Sequence, residues 1–489
     1  MIYINAHEIV LDSKERLEAW TSYDRIIRLA MDFIKDCPVD PSNELSWYLQ
    51  YSCFWIDPLR PTVWPDNPAG KFAWACTTLL KYYPFSGDDR HIAIVRNMLE
   101  RLWEYRTPES CSWGGVPYSS AHPGTGIYFG DRADGEYVTE PDKVAQVSKA
   151  FLDFYKLSGE DRFFRMGEHC AQVLSKKIRA GDEKHSPLPF RVSVRDGKII
   201  EEYTAHMIAA VRLFDEMIRF GENQYQDYRD CVWNWIEKFP LKNNIWKGYF
   251  EDIRLDPENN NRDQLSPMET ARYLLENKEK YPDWKRITKD LIDWVIETLG
   301  GPSFFSAIPI HEQKFCYYLM GSHTARFASI CAQYAEQTGD EEYREMAVRS
   351  LNWASYMANE DGTVTVGIDR PDYYNQCWFT DGYFDYVPHV IDCLAALPEL
   401  APDDADHMLR STSVVQEISY QPQKIIYRTY GADGCQRLKL TFEPHQVIAG
   451  GKLLGRKETL NDQPGWTLGH FPYVVDIKPG AQQVELRGK

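Results

Sequence analysis

Two aspartates lie near the starts of predicted helical stretches, where they could serve as a general acid and a general base. Asp142 lies in Val-Thr-Glu-Pro-Asp-Lys at the start of an apolar helical stretch, after a loop rich in glycine and aromatic residues. Asp381 opens a later stretch in Trp-Phe-Thr-Asp-Gly-Tyr. The first turn of a helix favours an ionised carboxylate, whereas burial beside aromatic rings raises its pKa. The two residues could therefore carry acid/base chemistry.

Helix capping is the alternative interpretation of these acidic residues. Glu140 precedes a proline at the first helical position, where acidic residues are common. Asp381 could likewise be an N-cap, with Asp385 one turn later on the same face. Ser266 and Glu269 have the spacing of a capping box before another apolar stretch, and this structural explanation is sufficient for them.

Two histidines also enter helical stretches. His206 follows Tyr203 by three residues, so we expect both on one helical face. His323 lies in Gly-Ser-His-Thr at the start of another stretch. Histidine and tyrosine can transfer protons in catalysis, although a lone histidine is also readily explained as a structural residue.

Aromatic residues recur in the long loops and make up 14% of the chain. Indole rings stack on flat ligand faces, or each could anchor its own loop. The candidate ligand-binding residues of the loops are Trp64, Trp113, Tyr118, Trp246, Tyr374, Trp378 and Asp385. Arg326, three residues after His323, could hold a carboxylate through two parallel hydrogen bonds.

The helical stretches that position these residues occur in pairs. Short turns rich in glycine and acidic residues separate the two members of each pair, at 86–89, 158–161, 221–223, 281–283 and 338–341. The turns recur about every 60 residues and predict five helical hairpins. A helix over about 14–36 and another over 383–397 would make a sixth hairpin if they pair across the chain ends.

Six hairpins that close on themselves form an (α/α)6 toroid, which is the fold predicted for residues 1–406. The connections between hairpins are long, and all of them would emerge at one end; they are 37–69, 106–140, 180–202, 239–265, 300–321 and 359–381. Since long loops are usually functional, we place the site at that end. Residues 413–489 alternate polar and apolar residues between glycine turns, which predicts a C-terminal β-sandwich-like domain.

This organisation resembles the six-hairpin glycosidase-like superfamily. The resemblance rests on the hairpins, the aromatic long loops and the small β domain, and it covers about residues 14–400. It implies a carbohydrate substrate and a site at the long-loop end. Toroidal polysaccharide lyases and sugar 2-epimerases are architectural relatives of these glycoside hydrolases.

Composition argues against several other classes. The chain has 55 Lys and Arg against 72 Asp and Glu, a net charge of −17, which disfavours nucleic acid and anionic lipid as partners. The start resembles no signal peptide and no stretch is long and apolar enough to span a membrane, so we expect a cytoplasmic protein. The eleven cysteines are at least 15 residues apart, and nucleotide-binding motifs are absent. We therefore expect no metal and no cofactor.

These patterns together favour a glycoside hydrolase that acts on oligosaccharides, including uronate-containing ones. Asp142 and Asp381 are its predicted acid/base pair. A lyase or sugar epimerase that uses Tyr203, His206 and His323 is the first alternative. A non-catalytic glycan-binding toroid is the second.

Overall fold

The computed structural model describes residues 2–37, 67–119, 137–250, 261–368, 377–469 and 473–489, and the backbone alone of 52–57, 60–64 and 379–381. Within these residues the α-helices are α1 (Tyr23–Asp36), α2 (Pro68–Ser86), α3 (Arg90–Glu104), α4 (Pro141–Ser158), α5 (Asp161–Ser175), α6 (Ile208–Arg219), α7 (Gln226–Ile236), α8 (Leu265–Glu276), α9 (Trp284–Leu299), α10 (Gly321–Thr338), α11 (Glu341–Ser355) and α12 (Val387–Ala396).

The helices pack in the pairs that the turn spacing predicted. Each even-numbered helix from α2 to α10 contacts the helix that follows it, and α12 contacts α1 across the chain ends. Gly159 and Gly339 end α4 and α10 with φ angles of 72° and 71°, in the left-handed conformation that glycine adopts without strain. The sixth hairpin is therefore formed by the first and last α-helices of the described chain.

The even-numbered helices form a closed cycle of contacts. α2 contacts α4, and the contacts continue through α6, α8, α10 and α12 back to α2; we call this cycle the helix ring. In α10 every side chain from 321 to 332 is buried, whereas α9 buries one face through Thr288, Leu291, Ile292, Val295 and Leu299. A helix buried on all sides lies inside a structure, and a helix with one apolar face lies at its surface. The burial pattern therefore places α10 inside the structure and α9 at its surface.

The predicted starts of both terminal helices are wrong. The N-terminal helix begins at Tyr23 rather than near residue 14, because Leu17–Glu18 forms a short strand against Val10–Leu11. The last stretch begins with a π-helical turn at Phe379–Phe384, and α12 starts only at Val387. Pro388 accounts for that start, since proline is tolerated in the first turn of a helix but not in its interior.

The segments before and between the helices contain short strands. They are β1 (Tyr3–Ile4), β2 (His7–Glu8), β3 (Val10–Leu11), β4 (Leu17–Glu18), β5 (Ser52–Asp57), β6 (Arg60–Trp64), β7 (Val138–Thr139), β8 (Arg191–Ser193), β9 (Ile199–Glu201), β10 (Ile310–His311), β11 (Leu319–Met320) and β12 (Cys377–Trp378). Strand β7 of the sheet β7-β8-β9 leads into α4, and the hairpin β10-β11 leads into α10.

The C-terminal strands are β13 (His407–Ser411), β14 (Val415–Gln421), β15 (Lys424–Thr429), β16 (Gln436–Lys439), β17 (Gln446–Ala449), β18 (Lys452–Leu453), β19 (Gly465–Leu468), β20 (Val474–Lys478) and β21 (Gln483–Arg487). They form two sheets, ordered β13-β16-β20-β19 and β14-β15-β21-β17-β18. Both sheets contribute to one apolar core, with Leu438 and Ile477 from the first and Ile425 and Leu486 from the second. Among the described residues, no helix combines the length and the apolar character that crossing a membrane requires.

Candidate functional site

The first turn of α4 carries charged side chains that are buried together. Glu140, just before the helix, is extended (φ −113°, ψ 105°) and its side chain makes no capping hydrogen bond. Glu140, Asp142 and Lys143 are each at most 1% exposed. Lys143 Nζ lies 3.0 Å from Asp142 Oδ2 and 3.6 Å from Glu140 Oε2. Pairing with a buried cation, not helix capping, therefore explains the Glu140 carboxylate.

Neighbouring elements complete the pairing of these charges. Arg191, on β8, places Nε 3.2 Å from Glu140 Oε1 and Nη1 2.9 Å from Glu201 Oε2. The Tyr249 carbonyl accepts a hydrogen bond from Lys143 Nζ at 2.7 Å, and the centroid of its ring lies 3.7 Å from the same nitrogen. An aromatic face at this distance stabilises an ammonium group that has lost its water.

His206 approaches Asp142 from the loop before α6. Its Nδ1 lies 3.1 Å from Asp142 Oδ2, and its ring packs edge-on against Tyr249 with 4.7 Å between the centroids. The loop is held in place because Ala205 N donates a 2.8 Å hydrogen bond to Lys247 O. The structure therefore brings together two candidate residues, Asp142 and His206, that the sequence treated separately.

Tyr203 does not share a helical face with His206, contrary to the prediction. Both residues precede α6. The Tyr203 hydroxyl donates to Ile245 O at 3.0 Å, and its ring lies 5.4 Å from that of Trp235. The backbone here is irregular because it approaches the next loop closely: Gly248 has φ 75°, and a Cβ there would lie 2.3 Å from Tyr203 O. Burial raises the pKa of the Tyr203 hydroxyl above its ordinary value.

Asp263 is a buried carboxyl group that sequence reasoning missed. It is 1% exposed and lies two residues before α8. Its Oδ1 accepts a 2.8 Å hydrogen bond from Ser266 N, as an N-cap carboxylate does. Its Oδ2 has no hydrogen-bond partner among the described residues. The Asp-x-x-Ser spacing before an apolar stretch was the available signal, but it indicates a cap and gives no hint of burial.

Asp142 and Asp263 have opposite pKa shifts. Burial raises the pKa of Asp142, but the positive charges and hydrogen bonds of Lys143 and His206 outweigh burial and hold it below its ordinary value. Burial also raises the pKa of Asp263; the hydrogen bonds from Ser266 and the charges of His206 and Lys143 oppose that effect without cancelling it. Lys143 and His206 thus act on the pKa of both carboxyl groups, but only Asp263 keeps an increased proton affinity. We call Glu140, Asp142, Lys143, His206 and Asp263 the carboxylate cluster.

His323 lies in the first turn of α10, where the sequence placed it. Its ring is 6.1 Å from that of Phe250, whose carbonyl accepts a hydrogen bond from Arg191. Burial and the charge of Arg326 hold the pKa of His323 well below its ordinary value. Its Nδ1 has no hydrogen-bond partner within the described part of the chain. His323 is therefore a neutral imidazole at neutral pH.

A second buried group of charges lies further along the ring helices. Arg326 Nε is 3.2 Å from Glu269 Oε1, and its Nη2 donates to Asp385 Oδ1. Arg272 Nη2 lies 3.1 Å from His389 Nδ1, and His389 Nε2 lies 3.1 Å from Asp385 Oδ1. These five residues form the arginine cluster, in which Arg326 also lies 4.9 Å from the centroid of the Trp74 ring.

The arginine cluster corrects the predicted capping box. Glu269 pairs with Arg272 and Arg326 instead of capping α8, and Asp263 supplies the cap to Ser266. Burial raises the pKa of Glu269, but the two guanidinium groups outweigh burial and lower it to about 2. Arg326 therefore already holds two carboxylates of the protein.

The remaining candidates are mostly buried. Trp113 is 3% exposed, with Lys177 Nζ 5.4 Å from its ring centroid, and Tyr118 is 2% exposed. Trp246 is fully buried and packs against Trp294. These contacts correspond to the loop-anchoring interpretation of the tryptophans.

Trp378 is half-buried and packs against the small apolar cluster of Tyr318, Met320 and Val366 beneath the β10-β11 hairpin. Tyr374 lies outside the described residues. Only the backbone is described at Trp64, in β6, and at Asp381, in the π-helical turn. The predicted roles of these residues stay predictions. Across the described residues, no group of three His, Cys, Asp or Glu side chains is arranged to hold a metal ion.

Several solved structures share the architecture of this chain. D-mannose isomerase superposes with a TM-score of 0.58 at 14% identity, over 77% of this chain and 97% of that one. Cellobiose 2-epimerase from Spirochaeta thermophila DSM 6192 gives 0.54 at 11% identity, over 78% and 97%. A family 76 glycoside hydrolase from a bovine Bacteroides thetaiotaomicron strain gives 0.54 at 11% identity, over 78% of each chain.

The chain has the six-hairpin glycosidase-like fold. This confirms the resemblance inferred from the hairpins. No protein-family model matches the chain, and no curated protein is significantly similar to it in sequence. Since the six-hairpin fold carries an isomerase, an epimerase and a hydrolase, the fold does not choose the reaction.

Proposed function

We propose that this protein is a carbohydrate-active enzyme, a glycoside hydrolase whose helix ring is the inner layer of an (α/α)6 toroid. Asp263 is its general acid, and Asp142 is the carboxylate that activates water or attacks the sugar. The observation that carries this proposal is that Lys143 and His206 act on two buried carboxyl groups whose pKa values are shifted in opposite directions. Glycoside hydrolysis needs one carboxyl group protonated and another ionised at the same pH.

Each carboxyl group has one oxygen available for this chemistry. Asp142 uses Oδ2 for Lys143 and His206, and its Oδ1 has no partner among the described residues. Asp263 Oδ1 accepts a hydrogen bond from Ser266 N, and Asp263 Oδ2 has no partner among the described residues. In the proposed mechanism Asp263 Oδ2 carries the proton that the departing glycosidic oxygen receives. Asp142 Oδ1 faces the water or the anomeric carbon, and Lys143 keeps Asp142 ionised.

The structural neighbours support carbohydrate as the substrate class. A family 76 glycoside hydrolase shares the fold, and so do a D-mannose isomerase and a cellobiose 2-epimerase. Asp381, the partner first predicted for Asp142, remains an alternative general acid and belongs in the same set of variants.

A sugar isomerase or epimerase is the second candidate, and His323 is the observation that favours it. A neutral imidazole whose Nδ1 has no partner among the described residues can accept a proton from a carbon atom next to a carbonyl group. In that reaction the sugar mass does not change, so the two candidates are distinguishable. A lyase would leave an unsaturated product, and a glycan-binding protein would leave the sugar unaltered.

The experiment is incubation with neutral and uronate-containing oligosaccharides of two to six units, followed by mass, ultraviolet absorbance and monosaccharide analysis. Addition of one water across the cut, without new absorbance, supports hydrolysis. New absorbance at the cut identifies a lyase, and an altered sugar of unchanged mass identifies an isomerase or epimerase. If hydrolysis occurs, Asp142→Asn, Asp263→Asn and Asp381→Asn decide which carboxyl groups act. Full activity in Asp142→Asn and Asp263→Asn would contradict the assignment.

A further inference from the structure

The β10-β11 hairpin presents two exposed aromatic rings beside the carboxylate cluster. Phe315 is 49% exposed and Tyr317 is 53% exposed, although both are large apolar side chains. The residues between and after them, Cys316 and Tyr318, pack inward with Met320. Of the exposed large apolar side chains in the described parts of the chain, the others lie in the first eleven residues and in the C-terminal β region.

The hairpin tip is fastened to the segment that carries Asp263. Gln313 forms an antiparallel β-bridge with Asp263, and Lys314 N donates to Arg262 O at 3.0 Å. Asn261 donates to Gln313 Oε1 at 2.7 Å and accepts from Phe315 N at 3.1 Å. The exposed rings are therefore fixed close in space to the proposed general acid.

The Tyr317 ring is held in a defined orientation. It stacks on His311 with 3.6 Å between centroids and 9° between planes, and His311 Nδ1 lies 3.0 Å from Leu299 O. One face of the Tyr317 ring is covered by this stack, and the exposed area lies on the remainder of the ring. A flat aromatic face that is preorganised in this way binds a planar apolar surface with little loss of side-chain entropy.

We propose that Phe315 and Tyr317 form a sugar-stacking platform, which binds pyranose units of an oligosaccharide beyond the bond that is cut. The proposal rests on the proposed function and adds to it that the substrate is longer than a disaccharide. The C–H groups on one face of a pyranose match the exposed aromatic faces. The link between Gln313 and Asp263 fixes the platform relative to the bond at which Asp263 acts.

The test compares the wild type with the double variant Phe315→Ala/Tyr317→Ala on the oligosaccharide series from two to six units that the wild type cleaves. We expect kcat/KM for the penta- and hexasaccharide to fall about tenfold, equivalent to about 1.4 kcal/mol. We expect kcat/KM for the disaccharide to stay unchanged. Tyr317→Phe should retain the wild-type profile, and Leu453→Ala/Tyr473→Ala, which removes exposed apolar side chains of the β region, should have no effect.

An unchanged chain-length profile in the double variant would overturn the platform while leaving the hydrolase proposal intact. A wild type that sediments as a dimer, beside a monomeric double variant, would instead identify this face as an interface between copies and would also overturn the platform. If the wild type turns over no sugar, the hydrolase proposal fails. The platform is then tested separately, by calorimetric titration of the wild type and the double variant with cellohexaose, mannohexaose and xylohexaose. Weaker binding of a hexasaccharide by the double variant supports it, and equal binding or none overturns it.

Discussion

His206 Nδ1 and Asp142 Oδ2 lie 3.1 Å apart although 64 residues separate them in the chain. The contact joins the loop before α6 to the first turn of α4, which are neighbouring members of the helix ring. It occupies Oδ2 together with Lys143 and leaves Oδ1 as the reactive oxygen in the proposed mechanism. Asp142 is therefore the residue on which the proposed chemistry is most directly tested.

Asp142→Asn should lower kcat by about 10²- to 10⁴-fold, because an amide can neither accept a proton nor attack the sugar. The measurement is steady-state hydrolysis of the oligosaccharide that the substrate panel identifies. Asp153→Asn is the matched control. Asp153 is also a largely buried aspartate of α4 that pairs with lysine, Lys149, but it lies three turns from the cluster. Equal losses in both variants would point to a structural role for Asp142.

Lys143→Met should move the acid limb of the pH–rate profile to higher pH. Lys143 is the largest of the influences that lower the pKa of Asp142, so its removal lets burial raise that pKa. Asp142 is then protonated, and inactive, at a pH at which the wild type works. Lys143→Arg keeps the charge and should shift the limb less. A limb that stays in place in Lys143→Met would show that Asp142 does not govern it.

Asp263→Asn should abolish hydrolysis while stabilising the protein at neutral pH. The folded state holds the Asp263 proton more tightly than the unfolded state does. The contribution of this group to stability is therefore full below its unfolded pKa and is lost as the pH rises towards the raised folded pKa. An amide does not titrate, so the variant does not lose this contribution as the pH rises. Its melting temperature should therefore exceed that of the wild type at pH 7, and the difference should shrink towards pH 4. A difference that grows towards pH 4 would contradict the raised pKa.

Arg326→Met should destabilise the fold by about 3–5 kcal/mol, because it removes the guanidinium group that pairs with the buried carboxylates of both Glu269 and Asp385, and Glu269 keeps only Arg272. Chemical unfolding measures this, with Arg286→Met as the control. Arg286 forms exposed ion pairs on α9 and should change stability by less than about 1 kcal/mol.

The same cluster should control stability in acid. The folded pKa of Glu269, about 2, is lower than its ordinary value. Its contribution to stability is therefore present above that ordinary value and lost as the pH falls towards 2. Glu269→Gln should accordingly flatten the decline in stability of the wild type below pH 4.

The helical architecture could be predicted because its signals are local. Apolar periodicity and glycine-acidic turns located five hairpins, and the structure confirms that the terminal helices α1 and α12 contact each other. The start of α6 could not be predicted, because residues 203–205 are held by hydrogen bonds and close contacts with the loop around Gly248. Such contacts do not change the apolar periodicity of either segment, so the sequence does not reveal them.

The candidate site was predictable only in part, for the same reason. Asp142 and His206 were singled out from their positions near helix starts, but their contact depends on the way α4 and α6 pack. Asp263 was not singled out, because its spacing to Ser266 is that of an ordinary helix cap, and only its burial and its raised pKa distinguish it. Glu269 fitted a capping box, yet its partner Arg326 is 57 residues further along the chain.

The pairing of α12 with α1 has a consequence for synthesis on the ribosome. Asn5 Nδ2 donates to Tyr356 O, 351 residues later, and α12 follows only after that tyrosine. At a translation rate of about 5–20 residues per second, the N-terminal segment waits roughly 20–70 s for its partner. During that interval the apolar face of α1, with Ile26, Ile27 and Met31, has no α12 to cover it. The segment that contains α1 is therefore expected to depend on a chaperone for longer than the hairpins that follow it.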